Sequence, residues 1–236
     1  MLEVVSAEQM RMSDAYTIER YVPGKELMYR AAYGVYLAVE WKGRIAIVTG
    51  SGNNGGDGYA LSCILMDRGI SSSVFYLGDP TTDDCMNYYR LAKEKGVSIL
   101  AYSASCLDGY DIIVDCILGT GFRGSPRERY RDAIEAISCT NAYVVSVDIN
   151  SGMDGDTGST ECAVRSDLTV TIGYIKQGLI APCTGAHIKK LVIADIGIRL
   201  LSSEGAVFSA DAPEGSVQRR IFARPEWLDM NVIKAY

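Results

Sequence analysis

Histidine is almost missing from this 236-residue chain: His187 stands alone. A Ser-His-Asp or Cys-His nucleophile system, or a zinc site with several imidazoles, would have to be built around that one side chain, so acid–base chemistry falls to carboxylates. Basic residues are short as well, 23 Lys and Arg against 29 Asp and Glu, for a formal charge of -6. Phosphate-backbone affinity comes from clustered Lys and Arg, and a nucleic-acid surface is not expected. No apolar run approaches the roughly 20 residues of a membrane helix. The opening MLEVVSAEQM has neither the basic segment nor the cleavage site of a secretory signal. The expectation is a cytoplasmic protein without membrane contact. Seven cysteines (Cys63, Cys85, Cys106, Cys116, Cys139, Cys162, Cys183) form no C-x-x-C pair, as expected of reduced thiols serving as small hydrophobes. Only 6 prolines accompany 24 glycines, which favours tight turns over a disordered linker.

Ser6 with Gln9 three residues later forms a capping box opening a helix over 7–20. Val22-Pro23-Gly24 interrupts, and Leu27, Ala31, Val35 and Val39 mark a second helix to about Trp41. From residue 44 short apolar runs alternate with helical patterns: RIAIVT from 44, SVFYL from 73, VSILAY from 97, DIIVDCIL from 111, AYVVSVDI from 142, DLTVTIG from 167 and KLVIADIGI from 190. Runs without polar alternation suit strands buried on both faces. Helices are predicted over 57–69 and 82–95, and from Ser125-Pro126-Arg127-Glu128, with Ser125 as N-cap and Pro126 at the first helical position. The order implies an α/β fold: a doubly wound, mostly parallel sheet in a three-layer α/β/α arrangement, with helices at the N-terminus and ligands bound beyond the carboxyl ends of the strands. From about Ser202 the periodicity fades, and the end of the chain reads as a tail or small appendage.

The strongest local feature is Gly50-Ser51-Gly52-Asn53-Asn54-Gly55-Gly56-Asp57-Gly58, between a strand and a helix. Its glycines let the backbone approach a pyrophosphate and the helix N-terminus offers free N–H groups, although a plain tight turn with Asp57 as N-cap uses part of the same pattern. No Lys-Ser/Thr follows, so it is not a P-loop. A dehydrogenase would want a ribose-binding acid after the next strand. Asp79 is the candidate, and Pro80 beside it favours a turn residue. A second glycine-rich turn, Gly119-Thr120-Gly121-Phe122-Arg123-Gly124-Ser125, follows another strand, with Arg123 suited to phosphate. Asp148, at the end of a third strand, is placed to work on a bound ligand. Asp154 and Asp156 suit Asx turns better than a calcium loop. Lys176 either meets a charge in the cleft or is a solvated loop cation. His187, Cys63 and Cys116 take structural readings.

Taken in order, GSGNNGGDG, VDCILGTGFRG, VDINSGMDGDTG, DLTVTIGYIKQGL and VIADIGI resemble the NAD(P)H-hydrate epimerase family, also called the YjeF N-terminal domain, over roughly residues 7 to 198. The resemblance implies an isomerase interconverting the R and S forms of hydrated NADH or NADPH, acting in nucleotide repair. It implies that Asn53, Asn54, Gly55, Gly56 and Asp57 bind the substrate, that Gly119 through Ser125 hold its phosphates and that Asp148 faces the hydrated ring. It also implies K+ near Asn54, Asp115 and Ser151, whose oxygen donors suit a hard cation. Asp148 is the first candidate for acid–base catalysis and Asp57 the second, with Lys176 among the substrate contacts. A homodimer is expected, domain 1–198 is followed by a tail over 199–236, and the dehydratase of the pathway is expected to be a separate protein. Two departures, Tyr29-Arg30 in the second helix where family members usually have Glu-Asn and Asn150 where they have proline, point to a changed pocket mouth or dimer contact. Competing readings are a non-catalytic nucleotide-binding or scaffold module of this fold and an NAD-dependent dehydrogenase.

Overall fold

The computed structural model describes residues 2–103, 105–201, 221–222 and 229–236. Each of the seven apolar runs forms a strand: β2 (Ile45–Thr49), β3 (Ser72–Tyr76), β4 (Ser98–Ala101), β5 (Ile112–Cys116), β6 (Tyr143–Val147), β7 (Leu168–Ile172) and β9 (Lys190–Asp195). Every residue of β2, β5 and β7 is buried, which is why these runs carry no polar alternation. Four further strands are β1 (Leu2–Val5), β8 (Ile175–Lys176), β10 (Ile221–Phe222) and β11 (Asp229–Lys234). The main sheet has the order β11-β9-β7-β6-β5-β2-β3-β4, and its pairings are all parallel. A small second sheet, β10-β1-β8, lies beside it. The stretch that reads as a tail thus returns to the main sheet, where β11 pairs with β9 along its whole length. Its Met230, Ile233 and Ala235 pack into the core.

The helices are α1 (Ala7–Arg20), α2 (Gly24–Ala38), α3 (Asn53–Asp67), α4 (Asp83–Glu94) and α5 (Glu128–Ser138). Side chains of α2, α3 and α4 cover one face of the main sheet, and Ala133, Ile134 and Ile137 of α5 cover the other, giving three layers. Among the described residues no helix is long and apolar enough to cross a membrane.

α1 begins at Ala7 as expected, but its cap and the starts of two other helices differ from expectation. The Ser6 hydroxyl accepts from the Gln9 N–H at 3.0 Å, but the Gln9 side chain donates to Leu201 O instead of closing the box. α3 begins at Asn53, four residues early, because Gly52 supplies the extended N-cap; Asp57 is therefore inside the helix and is no cap. α5 begins at Glu128 with Arg127 at the N-cap. Pro126 disfavours helical backbone at Ser125, whose hydroxyl donates to Glu161. α2 stops at Ala38, short of Trp41.

The chain winds β2, β3, β4 toward one edge, then returns to place β5 on the far side of β2 and continues toward the other edge. The direction reverses between β2 and β5, and ligands of open parallel sheets bind in the crevice beyond such a reversal.

Candidate active site

Both glycine-rich turns leave the sheet at that reversal. Gly50 N donates to Cys116 O, locking the turn after β2 to the end of β5. The N–H groups of Asn53, Asn54 and Gly55 open α3 without intrahelical acceptors, as first-turn amides do. Gly55 and Gly56 serve packing rather than lining: a Cβ on Gly55 would stand 2.1 Å from Gly50 O, and one on Gly56 2.6 Å from the Met28 methyl.

A cavity of about 720 Å³ opens over the turns, within the range of small-molecule sites. Asn53, Asn54, Asp57, Gly119, Thr120, Gly121, Phe122, Arg123, Asp148 and Lys176 line it, so ten residues singled out from sequence converge on one space. Gly124 and Ser125 lie outside it, on the exposed run toward α5, and Asp79 is exposed in the turn after β3 and does not reach it. A dehydrogenase's ribose carboxylate is therefore not at Asp79. Arg123 is not a free anion ligand, since it pairs with Asp156 at 2.9 Å and Asp154 at 3.6 Å. Asp154 Oδ1 accepts from the Asp156 and Thr157 N–H groups, an Asx turn. Tyr29 and Arg30 do not line the cavity; Leu27, Met28 and Ala31 of α2 do.

At the base of the cavity Lys176 is wholly buried. Its ammonium donates to Asp148 Oδ1, to Thr171 Oγ1 at 3.1 Å and to Ile172 O at 2.8 Å, using all three of its protons. The other carboxylate oxygen of Asp148 accepts from the N–H of Thr120 at 3.0 Å and from its hydroxyl at 2.5 Å. Burial alone would raise the Asp148 carboxyl, but the Lys176 charge and these hydrogen bonds outweigh it and hold the group below its ordinary value, ionised. Asp148 is also the one non-glycine residue with positive φ among those described, at 69°. Left-handed backbone of this kind collects at functional sites, where surrounding contacts must over-determine it. Here the contacts are the Lys176 pair, the Thr120 clasp and the Asp148 N–H donated to Val170 O at 2.8 Å.

Asp57 differs in every respect. No described residue donates a hydrogen bond to its carboxyl, and burial, then the negative charges of Asp148 and Asp14, push it well above the ordinary carboxylate value. Asp14, on α1, lines the same cavity and is raised by burial and by Asp148. The glycine-rich motifs do not include Asp14, and it is not among the site residues expected from sequence. The available signal is an acid standing between Met10 and Ile18 at helical spacing, and all three line the cavity.

Asp115 and Ser151 lie beneath the cavity. Asp115 accepts from the Ser151 hydroxyl at 2.5 Å, the Ser151 N–H at 2.9 Å, the Ser146 hydroxyl at 2.9 Å and the Ile117 N–H at 3.2 Å. Its burial raises the carboxyl, and these donors work against that rise. Leu118 O accepts from both Ser151 and Asn54, which leaves Asn54 Oδ1 buried without a partner. A buried oxygen without a donor, beside a carbonyl, a hydroxyl and a carboxylate, fits a hard alkali cation. Asn150, next to Ser151, is fully buried; its amide donates to Val164 O, Ser166 Oγ and His187 O, and it accepts from Thr169. This departure thus alters a polar knot behind the site, since Asn150 does not line the cavity. Cys63 and Cys116 are buried in the core, as expected.

A family model described as YjeF-related protein N-terminus matches residues 24–178. A Limosilactobacillus reuteri protein named NAD(P)H-hydrate epimerase is 36% identical over 192 residues, covering 75% of this chain and 87% of its own. An Archaeoglobus fulgidus protein named bifunctional NAD(P)H-hydrate repair enzyme Nnr is 35% identical over 181 residues, 75% of this chain but 38% of its own. A protein of the same name from Pyrobaculum aerophilum is 36% identical, with 42% of its length covered. The chain thus spans about two fifths of the bifunctional relatives it matches. The crystal structure of the yeast protein ynu0 superposes with a TM-score of 0.68 at 23% identity, covering 75% of this chain and 83% of that one, which establishes the shared fold.

Proposed function

This chain belongs to the YjeF-related protein N-terminus family, and on that premise we propose that it is an epimerase interconverting the R and S hydrates of NADH and NADPH. The observation that carries the reading is the meeting, in one cavity, of Asp148, whose carboxylate Lys176 and Thr120 hold below its ordinary value, with Asp57, whose carboxyl burial and like charge push well above it. Carboxyls whose environments push their pKa values apart divide into base and acid roles.

The hydrate carries a hydroxyl on carbon 6, next to the ring nitrogen. Asp57 donates its proton to that hydroxyl, the C–O bond breaks with its electrons leaving on water, and the nitrogen lone pair closes an N=C double bond. The resulting iminium is cationic, and ionised Asp148 stabilises it. Water then adds to carbon 6, the double-bond electrons return to nitrogen, and a carboxylate takes the released proton. No redox step is involved. The phosphates go to the free amides at the α3 N-terminus and to the turn over Gly119–Arg123, which lets a chain of net charge -6 hold an anion through local donors. Potassium would be held by Asn54, Leu118 O, Ser151 and Asp115, and would supply fixed positive charge beneath the phosphate turns. A homodimer, a cytoplasmic setting and a separate dehydratase that removes the hydrate belong to the same reading.

The test is to incubate one chromatographically purified hydrate epimer with and without the protein. Approach to an R/S mixture well above the spontaneous rate supports the proposal. Nucleotide binding with no change in the R/S ratio would replace it with a non-catalytic binding module.

A further inference from the structure

Epimerisation demands that water leave from one face of the ring and return to the other, and a single carboxyl reaches one face. The polar face of α1 is tied down along its length: Ala7 N donates to Asp156 at 2.6 Å, Gln9 to Leu201 O at 2.9 Å, Leu201 N to Ser13 Oγ at 2.9 Å and Arg199 N to Thr17 Oγ1 at 2.9 Å. Gln9, Ser13 and Thr17 are spaced by four, so these bonds fix the rotation of the helix about its axis. With that stripe bound to the segment after β9, the stripe Met10, Asp14, Ile18 is turned into the cavity. α1 thus hangs over the crevice from the β9 side of the sheet, whereas Asp57 enters from the β2 side and Asp148 stands between them at the end of β6. No described residue gives the Asp14 carboxyl a hydrogen bond, so it is uncommitted in the ligand space.

We infer that Asp14 is a second catalytic acid–base residue, serving the ring face turned toward α1 while Asp57 serves the opposite face. The inference rests on the epimerase reading and assigns its second proton transfer. In one direction Asp57 protonates the departing hydroxyl and Asp14 takes the proton from the water that adds on its own side. The reverse direction starts from protonated Asp14. Each inversion moves one proton from one carboxyl to the other, and a reverse turnover or exchange with solvent restores the starting state. Neither residue requires the other for water to leave and return on the same face.

That last property makes the assignment testable. Purified R and S hydrates of NADH are incubated in ¹⁸O-water with wild-type protein, Asp14→Asn and Asp57→Asn, following both R/S inversion and ¹⁸O incorporation. Wild type is expected to invert and to label both epimers. Asp14→Asn should slow inversion 10²–10⁴-fold, the usual contribution of one acid–base group. It should still label one epimer, with retention, at close to the wild-type rate. Asp57→Asn should give the mirror pattern, labelling the other epimer only. Inversion by Asp14→Asn within a few-fold of wild type, or equal loss of labelling in both epimers, overturns the inference. Wild-type protein that inverts neither epimer instead overturns the epimerase reading itself. Asp14→Ser, smaller and neutral, predicts the same one-epimer pattern and carries the test if Asp14→Asn does not fold.

Discussion

Asp148 combines three demands that seldom meet in one residue: a left-handed backbone at φ 69°, a buried cationic partner and a place in the cavity wall. Asp is among the few side chains that tolerate such backbone, and the Lys176 pair holds it there. Removing one partner of a buried pair leaves an uncompensated charge, so Lys176→Met should lower stability by about 3–5 kcal/mol. The double variant Asp148→Asn with Lys176→Met should lose less than the sum of the singles, as urea titrations of the four proteins would check. Asp57 and Asp148 also predict opposite pH slopes. Asp57 is raised, so the native state binds the extra proton from the ordinary value of 3.8 upward, and its contribution falls as pH rises through that window. Asp148 is lowered, and its contribution is present above 3.8 and lost as pH falls toward its native value. As pH rises from 3.8, Asp57→Asn should therefore gain in urea midpoint relative to wild type; a difference that does not change with pH above 3.8 would contradict the raised carboxyl. The acids at the ends of motifs were legible in the sequence because glycines announce them. Lys176 left two readings open, since nothing local says that a lysine after a strand will turn inward. Asp14 lies outside the glycine motifs, in the segment MRMSDAYTIERYVPGKELMYRAA that is similar to the family's opening helices, and its role becomes visible only when α1 is placed over the crevice.

At the level of elements, the glycine turn works through its inward face. Gly55→Ala places a Cβ where Gly50 O already stands, at 2.1 Å, and backbone must move. The expected result is a loss of about 1–3 kcal/mol, the range of overpacking, with weakened nucleotide binding because the α3 amides shift with the turn. Calorimetric melting and nucleotide titration of the same variant would check both. α1 depends on its N-cap, so Ser6→Ala should cost about 1 kcal/mol. The strand positions were readable because strands buried on both faces have no polar alternation to hide. Helix starts were less so, because capping depends on long-range competition: Glu161 takes the Ser125 hydroxyl and Leu201 O takes the Gln9 side chain. β11 was not readable as a sheet strand for a related reason, since Asp229 and Asn231 are exposed at an edge and the run lacks the continuous apolar character of β2 or β5.

For the molecule as a whole, the reversal of strand order between β2 and β5 collects the two glycine turns with Asp57 and Asp148, and α1 adds Asp14, over one end of the sheet. The order of alternating elements already implied such a crevice; which side chains face it depended on α1, whose tie-points lie more than 180 positions away in the chain at Ser13 and Leu201. Exchanging potassium for sodium in a nucleotide-binding assay should weaken binding, through the orphaned Asn54 oxygen, and equal affinity in both salts would remove the ion. The central claim is that carboxyls in this cavity carry the proton transfers of a hydrate epimerase. It is tested most directly by measuring R/S interconversion by wild type, Asp57→Asn and Asp148→Asn at neutral pH, with hydrate binding followed in parallel. The account predicts rapid interconversion by wild type, a 10²–10⁴-fold slower rate in Asp57→Asn, which loses a proton-transferring group, and a roughly 10²–10³-fold slower rate in Asp148→Asn, which loses the charge that stabilises the iminium, with hydrate binding by Asp57→Asn kept within a few-fold. Variants that bind the hydrate and interconvert it at the wild-type rate would contradict it.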